Sequence, residues 1–113
     1  MPLYAFVAPI QPDKTEGFRQ FVADLSGSRK EEYEASKKSC GVNRETILLQ
    51  QTPMGQMAIV IQEADDQEKA LASLRSMKDP FHAWYFQRIK DVWDIDYVGP
   101  DVPRNELLLD YRG

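Results

Sequence analysis

The spacing of hydrophobic and polar positions changes several times along the chain, and each change marks an element. Leu3 to Ala8 is a run of β-favouring or small residues closed by Pro9 and Pro12, which predicts a strand. From Asp13 to about Ser39 the period lengthens. Phe18, Phe21, Val22 and Leu25 fall at i, i+3, i+4 and i+7, one face of a helix. Gly27 and its neighbouring serines bend or break that helix. Its second half, Arg29 to Ser39, is rich in Glu and Lys and ends at Gly41, a residue suited to a helix C-cap. Arg44 to Gln51 reads as a strand centred on Ile47, Leu48 and Leu49. Thr52-Pro53-Met54-Gly55 reads as a turn, and Gln56 to Glu63 as the returning strand of a hairpin.

Asp65 and Asp66 are helix N-cap candidates, and Asp65 has Glu68 three residues on, in the manner of a capping box. The helix they start runs to about Met77, with Leu71, Leu74 and Met77 on its buried side. Asp79-Pro80 restarts a helix that continues from Phe81 to about Trp93. Gly99, Pro100 and Pro103 signal a loop, and Leu107 to Tyr111 a terminal strand. The order strand, helix, strand, strand, helix in two pieces, strand predicts an α+β domain. Its expected form is a ferredoxin-like β-α-β-β-α-β arrangement over residues 1–113, with an antiparallel sheet and the helices on one face.

The strands are apolar on both sides. Met57, Ile59 and Ile61 oppose Ala58 and Val60; Ile47 and Leu49 oppose Leu48; Leu3, Ala5 and Val7 oppose Tyr4 and Phe6. A sheet covered on one side alternates apolar with polar residues, so both faces here need cover. Helices supply one. The other is met either by a second copy, burying ~800 Å² per subunit in a homodimer, or by the tail after Tyr97 folding back.

Size and charge narrow the rest. At 113 residues there is room for one core. A net charge of −4 argues against a non-specific grip on nucleic acid. A single Cys and a single His exclude an internal disulfide and the common zinc sites, and Asp94 and Asp96 are too few for a dedicated metal site. No metal and no cofactor are expected. The N-terminal apolar run is short and lacks a basic lead, and no stretch approaches the ~20 apolar residues of a membrane span. A cytoplasmic protein without a membrane partner is the expectation.

Candidate chemistry gathers at few positions. The apolar stripe Phe18, Val22, Leu25 continues at the same spacing into Arg29, Glu32, Ser36 and Cys40. Either Arg29 and Glu32 look into a cleft at the sheet end, or Gly27 turns this half to solvent and leaves Tyr33 as its packing residue. Glu45 shares a strand face with Ile47 and Leu49, and Glu63 one with Met57, Ile59 and Ile61. A carboxylate on an apolar face is either a paired acid/base group or a wet strand end. His82 heads a helical stripe with Phe86, Ile89 and Trp93. It is the sole imidazole and hence the catalytic candidate as a general base; the competing reading is a core histidine bonded to backbone. Trp84, Tyr85 and Phe86 beside it either pack on the sheet or wall a pocket. Cys40 lies at a helix C-terminus, where the dipole disfavours a thiolate, so a Cys40–His82 nucleophile pair is not expected. No phosphate loop, G-x-S-x-G, H-E-x-x-H or EF-hand pattern occurs.

Several steps along the chain resemble the dimeric α+β barrel superfamily: Gly41-Val42…Glu45, Thr52-Pro53…Gly55, Glu63…Asp66, and Asp79-Pro80-Phe81 before Trp84. Within it the chain is similar to a group of short bacterial proteins of unknown function. The resemblance implies ferredoxin-like chains whose sheets pair into a barrel, with a pocket between helices and sheet in each subunit. It also implies cofactor-independent monooxygenase or haem-degrading relatives that use an Asn, Trp and His set. Trp84, Trp93 and His82 supply two of these types, but Asn43 and Asn105 fall outside the expected interiors. The resulting expectation is a dimeric protein that binds a small apolar or aromatic ligand. Tyr33, His82 and Tyr85 would line the pocket, and Arg29, Glu32 and Glu45 would supply its polar groups. The alternative is a non-catalytic structural or interaction module.

Overall fold

The computed structural model describes residues 3–93 and 105–113. Its order is β1 (Leu3–Pro9), α1 (Thr15–Ser26), α2 (Lys30–Cys40), β2 (Val42–Thr52), β3 (Gly55–Ala64), α3 (Gln67–Ser76) and α4 (Pro80–Trp93). The three strands form one antiparallel sheet in the order β1-β3-β2. The long helix expected before β2 is two helices. Gly27 ends α1, and a Cβ there would meet the Ala23 carbonyl oxygen at 2.9 Å, closer than a side chain tolerates. Gly41 closes α2 at φ 76°, its N–H returning to the carbonyls of Lys37 and Lys38.

One face of the sheet makes the core. Tyr4, Phe6, Ala8, Ala58, Val60, Gln62 and Ala64 are buried on it, together with Phe18, Phe21 and Leu25 of α1, Ala70 and Leu74 of α3, and Phe81, Tyr85, Ile89, Val92 and Trp93 of α4. Aromatic rings tie the helices to one another and to β1. Trp93 lies 5.8 Å from both Phe6 and Phe18, and Phe21 lies 5.5 Å from Tyr85 between ring centres. In β2 the register shifts between Val42 and Arg44. This bulge switches the parity of the strand, so that Glu45, Ile47 and Leu49 turn to the core face opposite Gln62, Val60 and Ala58. Glu63 pairs with Arg44 and belongs to the other face; the two acids are not neighbours on one face.

The ferredoxin-like β-α-β-β-α-β arrangement is not the fold that forms. Among the described residues three strands interleave with four helices in pairs, and none forms where the terminal strand was expected. Leu107 to Tyr111 adopts no regular structure, and Leu107, Leu108, Leu109 and Tyr111 are exposed. Two physical reasons are visible. The segment has a contiguous rather than alternating apolar run, which gives a strand no register. And β1's outer edge is engaged at Ala5, whose N–H donates to Asn105 Oδ1 (2.6 Å) and whose carbonyl accepts from Asn105 Nδ2 (2.9 Å). The first part of the expected terminal loop, residues 97–104, lies outside the described residues. Asp66, rather than Asp65, caps α3, accepting from Lys69 N–H at 3.1 Å. Among the described residues, no helix is long and apolar enough to cross a membrane, and no group of three or more His, Cys, Asp or Glu is placed to hold a metal.

Candidate functional site

Pro80 at the first position of α4 fixes the helix start, and Asp79 just before it accepts the first helical bond from Ala83 N–H. That places His82 one turn in, on the side facing α2. The residue is 5% exposed, and its ring is bonded at both nitrogens: Nδ1 lies 2.7 Å from Asp79 Oδ1 and Nε2 lies 2.7 Å from Ser36 Oγ. The hydrogen bond from His82 is the main cause that holds the Asp79 carboxyl below its ordinary pKa. An ionised carboxylate only accepts, so Nδ1 carries a proton, and in that neutral tautomer Nε2 is the nitrogen that accepts from the Ser36 hydroxyl. The three side chains thus form a relay from α2 to the head of α4. It opens on a recess of about 350 Å³ lined by Glu32, Ala35, Ser36, Ser39, Met77, Asp79, Phe81 and His82.

Glu45 is the centre of a second cluster. Its side chain is 4% exposed, and both oxygens are engaged. Tyr33 donates to Oε1, Gln62 Nε2 donates to Oε2, and Lys37 Nζ lies 3.2 Å from Oε2. The Lys37 ammonium also sits 5.6 Å from the ring centres of Tyr33 and Tyr85. Burial, then the adjacent Glu45 charge and the bond to it, push the Tyr33 hydroxyl far above its ordinary range, with Lys37 opposing. Burial does the same to Tyr85. Both phenols stay protonated. A second recess of about 420 Å³ borders this cluster, lined by Tyr33, Lys37, Lys38, Arg44 and Glu45 among others.

The six candidate side chains therefore divide. His82 and Glu32 border the first recess and Tyr33 and Glu45 the second, while Tyr85 lines neither and lies buried with its ring 6.4 Å from His82. Arg29 joins neither. Its guanidinium stacks on Trp84 at 4.5 Å and meets Glu32 at 3.3 Å. Gly27 does turn this end of the helix outward, since the side chains of Arg29 and Glu32 are 35% and 49% exposed. The stripe turns inward again further along, where Ser36, Lys37 and Cys40 are buried. Burial raises the Cys40 thiol pKa, which makes it a poor nucleophile. Of the asparagines, Asn105 is committed to the β1 edge and Asn43 borders the second recess, so neither accompanies His82.

Four functional side chains escaped the sequence reading: Ser36, Lys37, Gln62 and Asp79. Ser36 and Asp79 carried a signal, the first as a member of the helical stripe and the second three residues before the only histidine. Gln62 carried one too, as a polar residue alternating with Val60 and Ala58. Lys37 carried none within its run of charges.

No known family profile matches the chain, and neither a curated protein nor a solved structure is significantly similar to it.

Proposed function

We propose that the protein binds a small, uncharged, partly apolar molecule in the recess between α2 and the start of α4, with His82 as the group that handles a proton there. The observation that carries this reading is the Ser36–His82–Asp79 relay opening on that recess. Its volume of about 350 Å³ suits a small ligand, and Ala35, Met77 and Phe81 give it apolar walls. Glu32 and Asp79 at its rim disfavour anions. The second recess supports the reading less, because the Glu45 carboxylate is already saturated by donors of the chain.

The competing reading, a non-catalytic structural module, is favoured by one observation: the His82–Ser36 hydrogen bond ties α2 to α4. His82→Ala separates the two. A fragment screen by ligand-observed NMR on the wild type identifies binders. Under the binding reading the variant loses them while its melting temperature falls little. A large drop in melting temperature, with fragments still bound below it, supports the structural module instead.

The protein is further proposed to act as a homodimer, with a second copy on the sheet face that carries Leu3, Val7 and Leu48, each about half exposed.

A further inference from the structure

We infer that Ser36 is a nucleophile and that the recess hydrolyses short, uncharged acyl esters; this rests on the binding reading above and names its substrate class. Three observations support it. The hydrogen-bond order is hydroxyl, imidazole, carboxylate, with 2.7 Å at each step, the arrangement in which a histidine takes a serine proton and a carboxylate holds the ring in the tautomer that can do so. The serine is not sealed in the core: it lines an open recess with room for a short acyl chain against Met77 and Phe81. And the recess offers groups to a developing oxyanion. The Ser39 hydroxyl, one turn after Ser36, borders it and makes no side-chain hydrogen bond among the described residues. The N-terminus of the 14-residue α4 borders it, its positive dipole end offset in part by the Asp79 carboxylate.

The chemistry balances without any co-reactant but water. Ser36 Oγ attacks the ester carbonyl carbon and its proton passes to His82 Nε2, while the carbonyl electron pair moves to oxygen. Collapse of the tetrahedral intermediate breaks the carbon–alkoxy bond, and the leaving oxygen takes the proton from Nε2. Water then attacks the acyl-Ser36 carbonyl, again giving its proton to Nε2. Nε2 returns that proton to Ser36 Oγ as the carboxylic acid departs. Asp79 touches no reacting atom; it is a positioning residue acting through His82.

The test uses the full chain with a fluorophosphonate probe, read by intact mass and peptide mapping, and with p-nitrophenyl butyrate as substrate. One adduct at Ser36 on the wild type is expected, with hydrolysis that Ser36→Ala abolishes. His82→Gln should slow hydrolysis by ~10²–10⁴-fold. Asp79→Asn should shift the pH profile of hydrolysis as well as lower the rate, which a purely structural role would not do. Peptide mapping of the wild type needs no variant to fold. An adduct at another residue, or hydrolysis by Ser36→Ala at the wild-type rate, overturns the inference. If the wild type is unlabelled yet fragments bind and are lost in His82→Ala, this inference falls and the binding reading stands. If neither labelling nor binding occurs, both fall.

Discussion

Glu45 is a carboxylate of β2 taken out of water and compensated by three donors from two elements: Tyr33 and Lys37 of α2 and Gln62 of β3. Removing one partner of such a pair leaves a buried charge without compensation. Lys37→Met should therefore destabilise the fold by about 3–5 kcal/mol in denaturant titrations, and adding Glu45→Gln should recover most of that loss. A double variant no better than the single would mean that Lys37 contributes packing rather than charge. The buried phenols make a second prediction at this scale. Tyr4, Tyr33 and Tyr85 all have pKa values raised from an ordinary 10.0, with burial the first cause in each. The folded chain holds these protons more tightly than the unfolded one. The stability this confers is complete below pH 10 and is lost as pH rises past it. Melting temperatures should fall as pH rises above about 10, and Tyr33→Phe, though less stable at neutral pH, should show a shallower fall. Glu45 was legible in the sequence because it alternates with Ile47 and Leu49. Lys37 was not, because a lysine in a Glu- and Lys-rich helix looks like any solvated one, and only the bulge at Asn43 brings a carboxylate beneath it.

Helix boundaries were the most legible elements because their signals are local. Gly41 at a positive φ, Asp66 as a cap and Pro80 as a first helical residue each act within a turn of where they stand. Gly27 divides α1 from α2 by the same local logic, and the division matters to the site: it lets Arg29 and Glu32 face water while Ser36 and Lys37 face inward. Two glycine substitutions test this with opposite signs. Gly27→Ala would press a methyl group against the Ala23 carbonyl at 2.9 Å and should cost about 1–3 kcal/mol. Gly17→Ala, inside α1 with nothing within 4 Å of the added carbon, should stabilise by about 0.4–1 kcal/mol. Urea titration of both variants checks the pair, and equal effects would refute the role given to Gly27. The terminal strand failed for the opposite reason. A strand at a sheet edge depends on a distant partner, and nothing within Leu107 to Tyr111 reports that β1's edge is already bonded to Asn105.

At the scale of the molecule the unanswered feature of the sequence is its second apolar sheet face. The row Val7–Ile59–Leu48 crosses its middle, with Ala5–Ile61–Thr46 on one side and Pro9–Met57–Gln50 on the other. Among the described residues no helix packs there, and Leu107 to Leu109 stay in water rather than folding over it. Within the single chain these leucines are not the cover, and the occupant proposed above is a second copy. From strand spacing and rise, three strands present only about 400 Å² of flat area, short of the ~800 Å² per partner that a stable interface uses. The exposed leucines and Tyr111, which follow the Asn105 anchor on β1's edge, are positioned in sequence to supply the remainder. Four consequences follow for sedimentation at micromolar concentration. Wild type should run at twice the chain mass, and Ile59→Glu, in the central strand of the open face, should run as a folded monomer. Met54→Glu, at the fully exposed hairpin tip, should remain dimeric. Ending the chain after Asn105 should weaken the dimer without unfolding it, because it removes only exposed side chains. A wild-type monomer at these concentrations would refute the assembly. A truncated chain that dimerises as tightly as wild type would confine the interface to the sheet.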